Sequence, residues 1–190
     1  MKVNLKNSRL SFILTVFNVL LLMLSLLIRI RDIKINVFEH HILYAALNTS
    51  YIFMIMFLIE ILRYVKEKTS VITSLITYAC LQVLNLINNF FRDFSFAKQS
   101  TLSIGILTIV IVIYLTIETF KIKSSLIAIP YRLFALSLLS VIIIELIAVA
   151  AVASNAEDKV TDYLDILKLL TPLSILYIVK KANSLISETR

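Results

Sequence analysis

The hydrophobic pattern of the chain divides it into six long apolar segments that are separated by short polar connections. Each segment has about the length that a transmembrane helix needs to cross the hydrocarbon core of a bilayer. The predicted spans are residues 10–28, 42–62, 71–91, 102–120, 131–153 and 163–179. We therefore predict an all-α, polytopic membrane helix bundle, formed by one integral membrane domain over residues 1–190, in which consecutive helices are antiparallel neighbours.

The third segment carries the most informative polar pattern, because polar side chains recur along it at alternating steps of four and three residues. That spacing places Tyr78, Gln82, Asn85, Asn89 and Arg92 on one face of a helix, over about 21 Å of rise. Hydrocarbon does not solvate such a face, so it is predicted to meet protein or water. This polar stripe, with the acid that follows it, comprises Ser74, Tyr78, Gln82, Asn85, Asn89, Arg92 and Asp93.

Two interpretations of the polar stripe stay open. Asn and Gln often hydrogen-bond across transmembrane helices, which would make the stripe a packing surface. Alternatively, copies of this helix around a symmetry axis would place rings of amides along a water path, as in the lining of a pore. The first segment has a weaker stripe that is a candidate surface for meeting the third helix. It comprises Ser11, Thr15, Asn18 and Ser25.

Glu145 is the most costly side chain of the predicted spans, because it lies well inside the fifth segment. A central acid costs on the order of 3 kcal/mol on insertion scales, so it should be paired, protonated or in contact with water. We predict that it faces the bundle interior. Its role is either functional, as a proton site, a cation site or a gate, or structural, as one buried hydrogen bond.

Pro172 is predicted to kink the middle of the sixth helix and to act as a hinge. Pro130 is predicted to lie in the first turn of the fifth helix.

Composition narrows the class of protein. Apolar residues form 59% of the chain and charged residues 16%, which excludes a soluble domain. The chain has one glycine and two prolines, whereas transporters usually build their sites from broken helices that use these residues. Straight helices packed by Leu, Ile and Val are therefore expected. Cys80 is the only cysteine, so no intrachain disulfide is expected.

The distribution of the net charge of +7 predicts an orientation. If the N-terminus is inside, twelve of the 19 Lys and Arg residues fall on the cytoplasmic side, and the positive-inside rule then places both termini in the cytoplasm. The cytoplasmic basic rim is predicted to contact anionic lipid or, alternatively, a phosphorylated, nucleotide-type ligand. This rim comprises Lys66, Lys68, Lys121, Lys123, Lys180 and Lys181. Glu60 and Glu118 are expected to pair with nearby Arg63 and Lys121 or Lys123.

Motifs for catalysis and metal binding are missing from the sequence. There is no zinc-protease helix motif, nucleophile elbow, cysteine pair or catalytic paired-acid motif, so we predict no enzyme activity, no cofactor and no metal. His40 and His41 are adjacent and point to different faces of a helix, which makes them poor ligands for one shared metal.

In size and architecture the chain resembles the membrane effector subunits of bacterial defence and toxin systems, although no sequence motif carries the likeness. We predict a homo-oligomer in the inner membrane of a bacterium that assembles around the polar stripe of the third helix as a water path, and that conducts ions or perturbs the membrane. Two alternatives stay open. One is the substrate-binding membrane subunit of a small-molecule importer, and the other is a scaffold or assembly partner of another membrane subunit.

Overall fold

A computed structural model describes residues 5–91, 95–153 and 165–188. The helices are α1 (Leu5–Ile30), α2 (Val37–Tyr64), α3 (Thr69–Phe90), α4 (Ser95–Thr119), α5 (Ser125–Ala153) and α6 (Leu170–Glu188), with a short 3₁₀ helix, Asp165–Leu169, before α6. Helices α1 to α5 are long and apolar enough to cross a membrane. The predicted all-helical membrane bundle is confirmed at this level. The predicted sixth span, 163–179, begins outside the described residues and continues through the 3₁₀ helix into α6.

The helices pack in the order of the chain. Each helix contacts the next one, and α1 contacts α6, so the six helices close into a ring. The connections between consecutive helices from α1 to α5 are short, which makes these neighbouring helices antiparallel. The ring therefore has two ends. We call the end with the α1–α2 connection the cavity end, and the end with the α2–α3 and α4–α5 connections the packed end.

Local sequence explains where α1 and α2 begin and end. Asn36 and Glu39 form a reciprocal capping box, in which each side chain accepts a hydrogen bond from the other residue's backbone N–H, at 2.8 and 3.0 Å. At the ends of α1 and α2, Asp32 and Lys66 adopt positive φ angles of 47° and 56°. The backbone bonds around both residues follow the Schellman pattern, in which this position usually holds glycine. In this glycine-poor chain an Asp and a Lys take that role.

The densest core lies at the packed end. Its buried side chains come from the second halves of α2 and α4, the first halves of α3 and α5, and most of α6. Phe57, Tyr131 and Phe134 are among the largest fully buried side chains, and the Tyr131 hydroxyl donates to the Leu58 carbonyl at 2.6 Å. Close packing of this kind holds membrane helices together, because lipid is as apolar as the side chains themselves. Side chains therefore fill this end of the ring.

Large apolar side chains cover much of the outer surface of the ring. Examples are Phe17, Leu20, Val110 and Leu133, which are 46%, 59%, 58% and 47% exposed. A soluble domain rarely exposes apolar side chains in contiguous patches on this scale, whereas a bundle in lipid requires them. This surface and the five apolar helices together indicate a multi-pass membrane protein.

The positions of both prolines differ from the predictions. Pro172 is the third residue of α6, directly after the 3₁₀ helix, rather than in the middle of a helix. The first N–H groups of a helix have no intrahelical partner, so proline breaks no hydrogen bond there. Pro130 lies inside α5, because that helix begins at Ser125 and not next to the proline. A hinge at Pro172 stays a prediction, now placed at a helix start.

Candidate functional site

All six helices and the 3₁₀ helix contribute to one cavity of about 610 Å³. Its lining residues from α2 run only from Tyr44 to Tyr51, and those from α3 only from Tyr78 to Asn85. The cavity therefore ends near the middle of the bundle, where the packed core begins. A volume of a few hundred Å³, roughly 300–1,000, is typical of sites for small organic molecules.

The lining combines apolar walls with polar side chains. Its polar members are Asn18, Tyr44, Asn48, Tyr51, Tyr78, Gln82, Asn85, Thr101, Thr108, Glu145, Lys168 and Thr171. Its apolar members include Leu22, Leu47, Ile104, Ile109, Val112, Leu138, Val141, Ile142 and Leu146. Ligand sites usually have mostly apolar walls with a few converging polar groups, and this lining is richer in polar side chains than that.

Two tyrosines form the floor of the cavity. The hydroxyl oxygens of Tyr51 on α2 and Tyr78 on α3 lie 3.1 Å apart, and their rings meet edge to face with centroids 6.4 Å apart. In each helix this tyrosine is the lining residue nearest the packed end, where the packed core begins. The pair therefore closes the cavity with hydroxyl groups that satisfy each other.

The middle of the polar stripe lies on the cavity wall. Gln82 and Asn85 are half-buried there, and neither amide forms a hydrogen bond within the described part of the chain. Ser74, one turn before the floor, is buried at the packed end and donates to the Val71 carbonyl of its own helix at 2.9 Å. Within the polar stripe, Gln82 and Asn85 therefore face the cavity, whereas Ser74 bonds to its own helix inside the packed end.

The outer part of the polar stripe leaves the cavity. Asn89 lines a smaller recess at the cavity end, together with His40, His41 and Phe90. The imidazole of His41 stacks on Phe90, with ring centroids 6.4 Å apart. No cluster that could hold a metal occurs among the described residues. Arg92 and Asp93 lie outside the described residues.

Glu145 lies on the cavity lining and is paired. Its Oε1 is 3.7 Å from Nζ of Lys168, and the two side chains are 62% and 28% exposed. The separation suits an ion pair but is longer than an N–H···O hydrogen bond. Of the outcomes expected for an intramembrane acid, the structure therefore shows pairing. A proton, cation or gating role for Glu145 stays a prediction.

Sequence reasoning missed Lys168 as the partner of Glu145. The sequence held a signal for this pair. An intramembrane acid needs a counter-charge, and Lys168 is the one basic residue of the predicted span 163–179. The structure places it on the 3₁₀ helix beside α5.

Among the described residues, the first helix does not contact α3, so the expected contact between the first and third helices is wrong, and Asn18 of the weak stripe bonds to α2 instead. Asn18 donates to the Leu47 carbonyl at 2.9 Å and to the Ser50 hydroxyl at 2.7 Å. In the described part of the chain, α1 packs against α2, α6 and the 3₁₀ helix, with no contact to α3. Adjacency in the ring explains this result, because α2 separates α1 from α3.

A hydrogen-bonded link between α3 and α4 involves Asn88, which lies off the polar stripe. Its amide group donates to the Thr101 hydroxyl at 2.6 Å, and its carbonyl oxygen accepts from the Ser100 hydroxyl at 2.6 Å. Asn88 thus has the packing role that one of the two interpretations assigns to the polar stripe. One asparagine thus joins the helices while its neighbour Asn89 faces a recess.

Replacing Asn88 with Ala should lower the free energy of unfolding by about 1 kcal/mol, since interhelical hydrogen bonds in membranes contribute roughly 0.6–1.7 kcal/mol. Unfolding in mixed detergent, followed by circular dichroism, measures this change. The matched control is Asn89→Ala, which removes the same chemical group from the recess and should leave stability unchanged. Equal losses in both variants would contradict the assigned link.

The six residues of the predicted basic rim come together at the packed end. Lys66 and Lys68 lie in the α2–α3 connection, Lys121 and Lys123 in the α4–α5 connection, and Lys180 and Lys181 on α6. Five of the side chains are exposed, and Lys181 is half-buried.

Acidic side chains form ion pairs and hydrogen bonds around the basic rim. The predicted pairs are present, with Arg63 2.7 Å from Glu60 and Lys121 hydrogen-bonded to Glu118, which raises the pKa of Lys121. Glu67 accepts hydrogen bonds from the backbone N–H groups of Lys123 and Ser124 at 3.3 and 2.8 Å. It thereby joins the two connections and caps the start of α5.

Comparisons of the chain with protein-family models, curated proteins and solved structures find no match.

Proposed function

We propose that this chain binds a small organic molecule in its cavity, as the substrate-binding membrane subunit of a small-molecule importer does. The observation that carries the proposal is the blind polar cavity, in which Gln82 and Asn85 have no hydrogen-bond partner among the described residues. Both amides are half-buried on the cavity wall, so their donors and acceptors are available to a molecule inside the cavity. A polar ligand supplies partners for these amides.

Thr171 supports the same proposal from the opposite side of the ring. It is 6% exposed, lines the cavity, and its hydroxyl oxygen is buried without a hydrogen-bond partner in the described structure. The neighbouring Ser174 hydroxyl, in contrast, donates to the Thr171 carbonyl at 2.6 Å. The unsatisfied hydroxyl therefore occurs where α6 borders the cavity.

The filled packed end favours binding over conduction by one chain. A water path through the ring would have to pass Met54, Leu58, Leu75 and Phe134, none of which is more than 1% exposed. A pore or membrane-perturbing effector made of several copies stays a prediction. A scaffold role beside another membrane subunit, and a nucleotide-type ligand at the basic rim, stay predictions as well.

We also propose that the cavity opens to the outside of a bacterial inner membrane. The basic rim lies at the packed end, and the positive-inside rule assigns that end to the cytoplasm. The start of α1 and the end of α6 lie at the same end, so both termini are then cytoplasmic. In this orientation a ligand enters from the outer side and stops at Tyr51 and Tyr78.

Native mass spectrometry of the protein, purified in mild detergent, tests the binding proposal together with ion flux in liposomes. The expected result is one small molecule per chain, released by collisional activation, and no flux above protein-free liposomes. Flux without any bound small molecule would overturn the proposal and favour the pore. Absence of both would favour the scaffold role.

A further inference from the structure

We propose that an anionic phospholipid binds to the outside of the ring where α4 meets α5 at the packed end, with its phosphate on the Arg132 guanidinium and an acyl chain along α4. This site is separate from the cavity and does not rest on the ligand of the cavity. Three observations carry it: the contacts that hold Arg132 in place, the charges around this residue, and the exposed apolar face of α4 beside it.

Arg132 is held in position at the end of α4. It lies about two turns into α5, and side chains lean towards the start of their helix, so Arg132 reaches back towards the packed end. Its Nη2 donates to the Phe120 carbonyl at 3.1 Å, and its Cζ lies 5.2 Å from the centroid of the Phe120 ring. These contacts order the guanidinium before a ligand arrives, which lowers the entropy that is lost on binding.

The guanidinium of Arg132 keeps donors for a ligand. A guanidinium has five N–H groups, and the hydrogen bond to Phe120 uses one of them. The Nε atom is buried, whereas Nη1 is accessible and forms no hydrogen bond within the described part of the chain. A guanidinium binds phosphate oxygens well, because its planar group can donate parallel N–H bonds to two of them.

The charges at this corner of the packed end favour an anion. Glu118 is hydrogen-bonded to Lys121, and Glu67 to the backbone at the start of α5. Arg132 and Lys123, in contrast, form no ion pair with any residue that the structure describes. A zwitterionic headgroup would bring a cation of its own to these two side chains, whereas an anionic headgroup adds only negative charge.

The outer face of α4 favours a lipid over a soluble phosphate. Exposed apolar side chains recur along it at steps of four and three residues, so they form one stripe that ends at the Phe120 ring. The stripe extends over about 21 Å of rise, which is more than half of the roughly 30 Å hydrocarbon core. An acyl chain can therefore lie along it while the phosphate stays at Arg132. This α4 stripe comprises Ile106, Val110, Ile113, Ile117 and Phe120.

Native mass spectrometry tests the proposal with equal amounts of phosphatidylglycerol and phosphatidylcholine that carry the same acyl chains. Wild-type protein in detergent should retain phosphatidylglycerol at least about fivefold over phosphatidylcholine, the ratio that one basic residue typically gives near anionic lipid. Equal retention would overturn the proposal. Glycerol 3-phosphate at the same concentration should not displace the lipid, because it has no acyl chain for the α4 stripe. Displacement would indicate a site for soluble phosphates instead.

Substitution of Arg132 locates the lipid. Arg132→Gln should lower the ratio of the two retained lipids about fivefold, because it removes the charge that binds the phosphate. The matched control is Lys180→Gln, which removes an exposed basic side chain of α6 at the same end and should leave the ratio unchanged. Equal losses in both variants would mean that the lipid responds to the charge of the whole rim, which would overturn the assignment to Arg132.

Arg132→Lys guards against loss of the fold. Arg132 also satisfies a carbonyl at the end of α4, where carbonyl groups have no intrahelical partner, and Lys can do the same. Lys keeps the charge but not the planar fork, so the lipid ratio should fall between those of wild type and Arg132→Gln. If both variants lower thermal stability and neither changes the ratio, Arg132 only caps α4 and the proposal fails.

Discussion

Replacing Gly105 with Trp should remove the proposed cavity ligand from the purified protein without unfolding it. Gly105 lies on the α4 wall of the cavity, and a Cβ atom built there meets no other atom within 4 Å. A large side chain can therefore enter open space rather than a packed core. Because it occupies volume that the ligand needs, we expect binding to weaken by at least about tenfold, equivalent to roughly 1.4 kcal/mol. Native mass spectrometry at equal protein concentration measures the remaining adduct.

Two control variants separate occlusion of the cavity from damage to α4. Gly105→Ala should keep the adduct and raise stability by about 1 kcal/mol, because glycine is unfavourable inside a helix. Val110→Trp places the same large side chain on the exposed surface of α4, outside the cavity lining, and should keep the adduct. Undiminished adduct in the folded Gly105→Trp variant would show that the molecule binds elsewhere.

Replacing Phe134 with Ala should lower the free energy of unfolding on the order of 3 kcal/mol. Phe134 is fully buried at the packed end. Core Phe→Ala substitutions in water-soluble proteins cost about 3–5 kcal/mol, from lost burial and from the space left behind. Between membrane helices the lost packing remains while the water-transfer part is small, so we expect the lower end of that range. Denaturation in mixed detergent micelles measures the change.

The neighbouring Leu133→Ala variant is the matched control. Leu133 is 47% exposed on the outside of the ring, where a shorter side chain is replaced by lipid or detergent. Its stability should therefore change by less than about 1 kcal/mol. A similar loss in both variants would mean that the packed end is not a filled core.

The period of polar residues in the third segment predicted a face but not its surroundings. Tyr78, Gln82 and Asn85 share the cavity wall, as residues at steps of four and three must. The same period could not show that α2, α4 and α5 close the space around them, because it holds information on one helix only. Asn88 illustrates the limit, since this residue outside the pattern makes the link to α4.

The sixth segment shows a different limit. Its apolar run suggested one helix from residue 163, in which Pro172 would fall in the middle. In the structure a 3₁₀ helix ends at Leu169 and α6 begins at Leu170, so the proline falls in a first turn. Apolar runs of this kind do not mark such a junction. Lys168 lies beside Glu145 because of the 3₁₀ helix at this junction. Since the sequence pattern did not reveal the junction, it predicted that Glu145 needs a partner but did not identify Lys168 as that partner.

Side-specific cysteine labelling distinguishes a blind, wet cavity in the ring from a continuous water path and from dry packing. In a Cys80→Ser background, single cysteines replace Gln82 and Asn85 on the cavity wall and Leu75 in the packed core. A membrane-impermeant methanethiosulfonate is then added to either face of sealed vesicles of known orientation. With a blind, wet cavity, positions 82 and 85 should react from one face only, and position 75 should not react. Reaction from both faces, or at position 75, would reveal a continuous water path, and no reaction at 82 and 85 would show a dry packing surface.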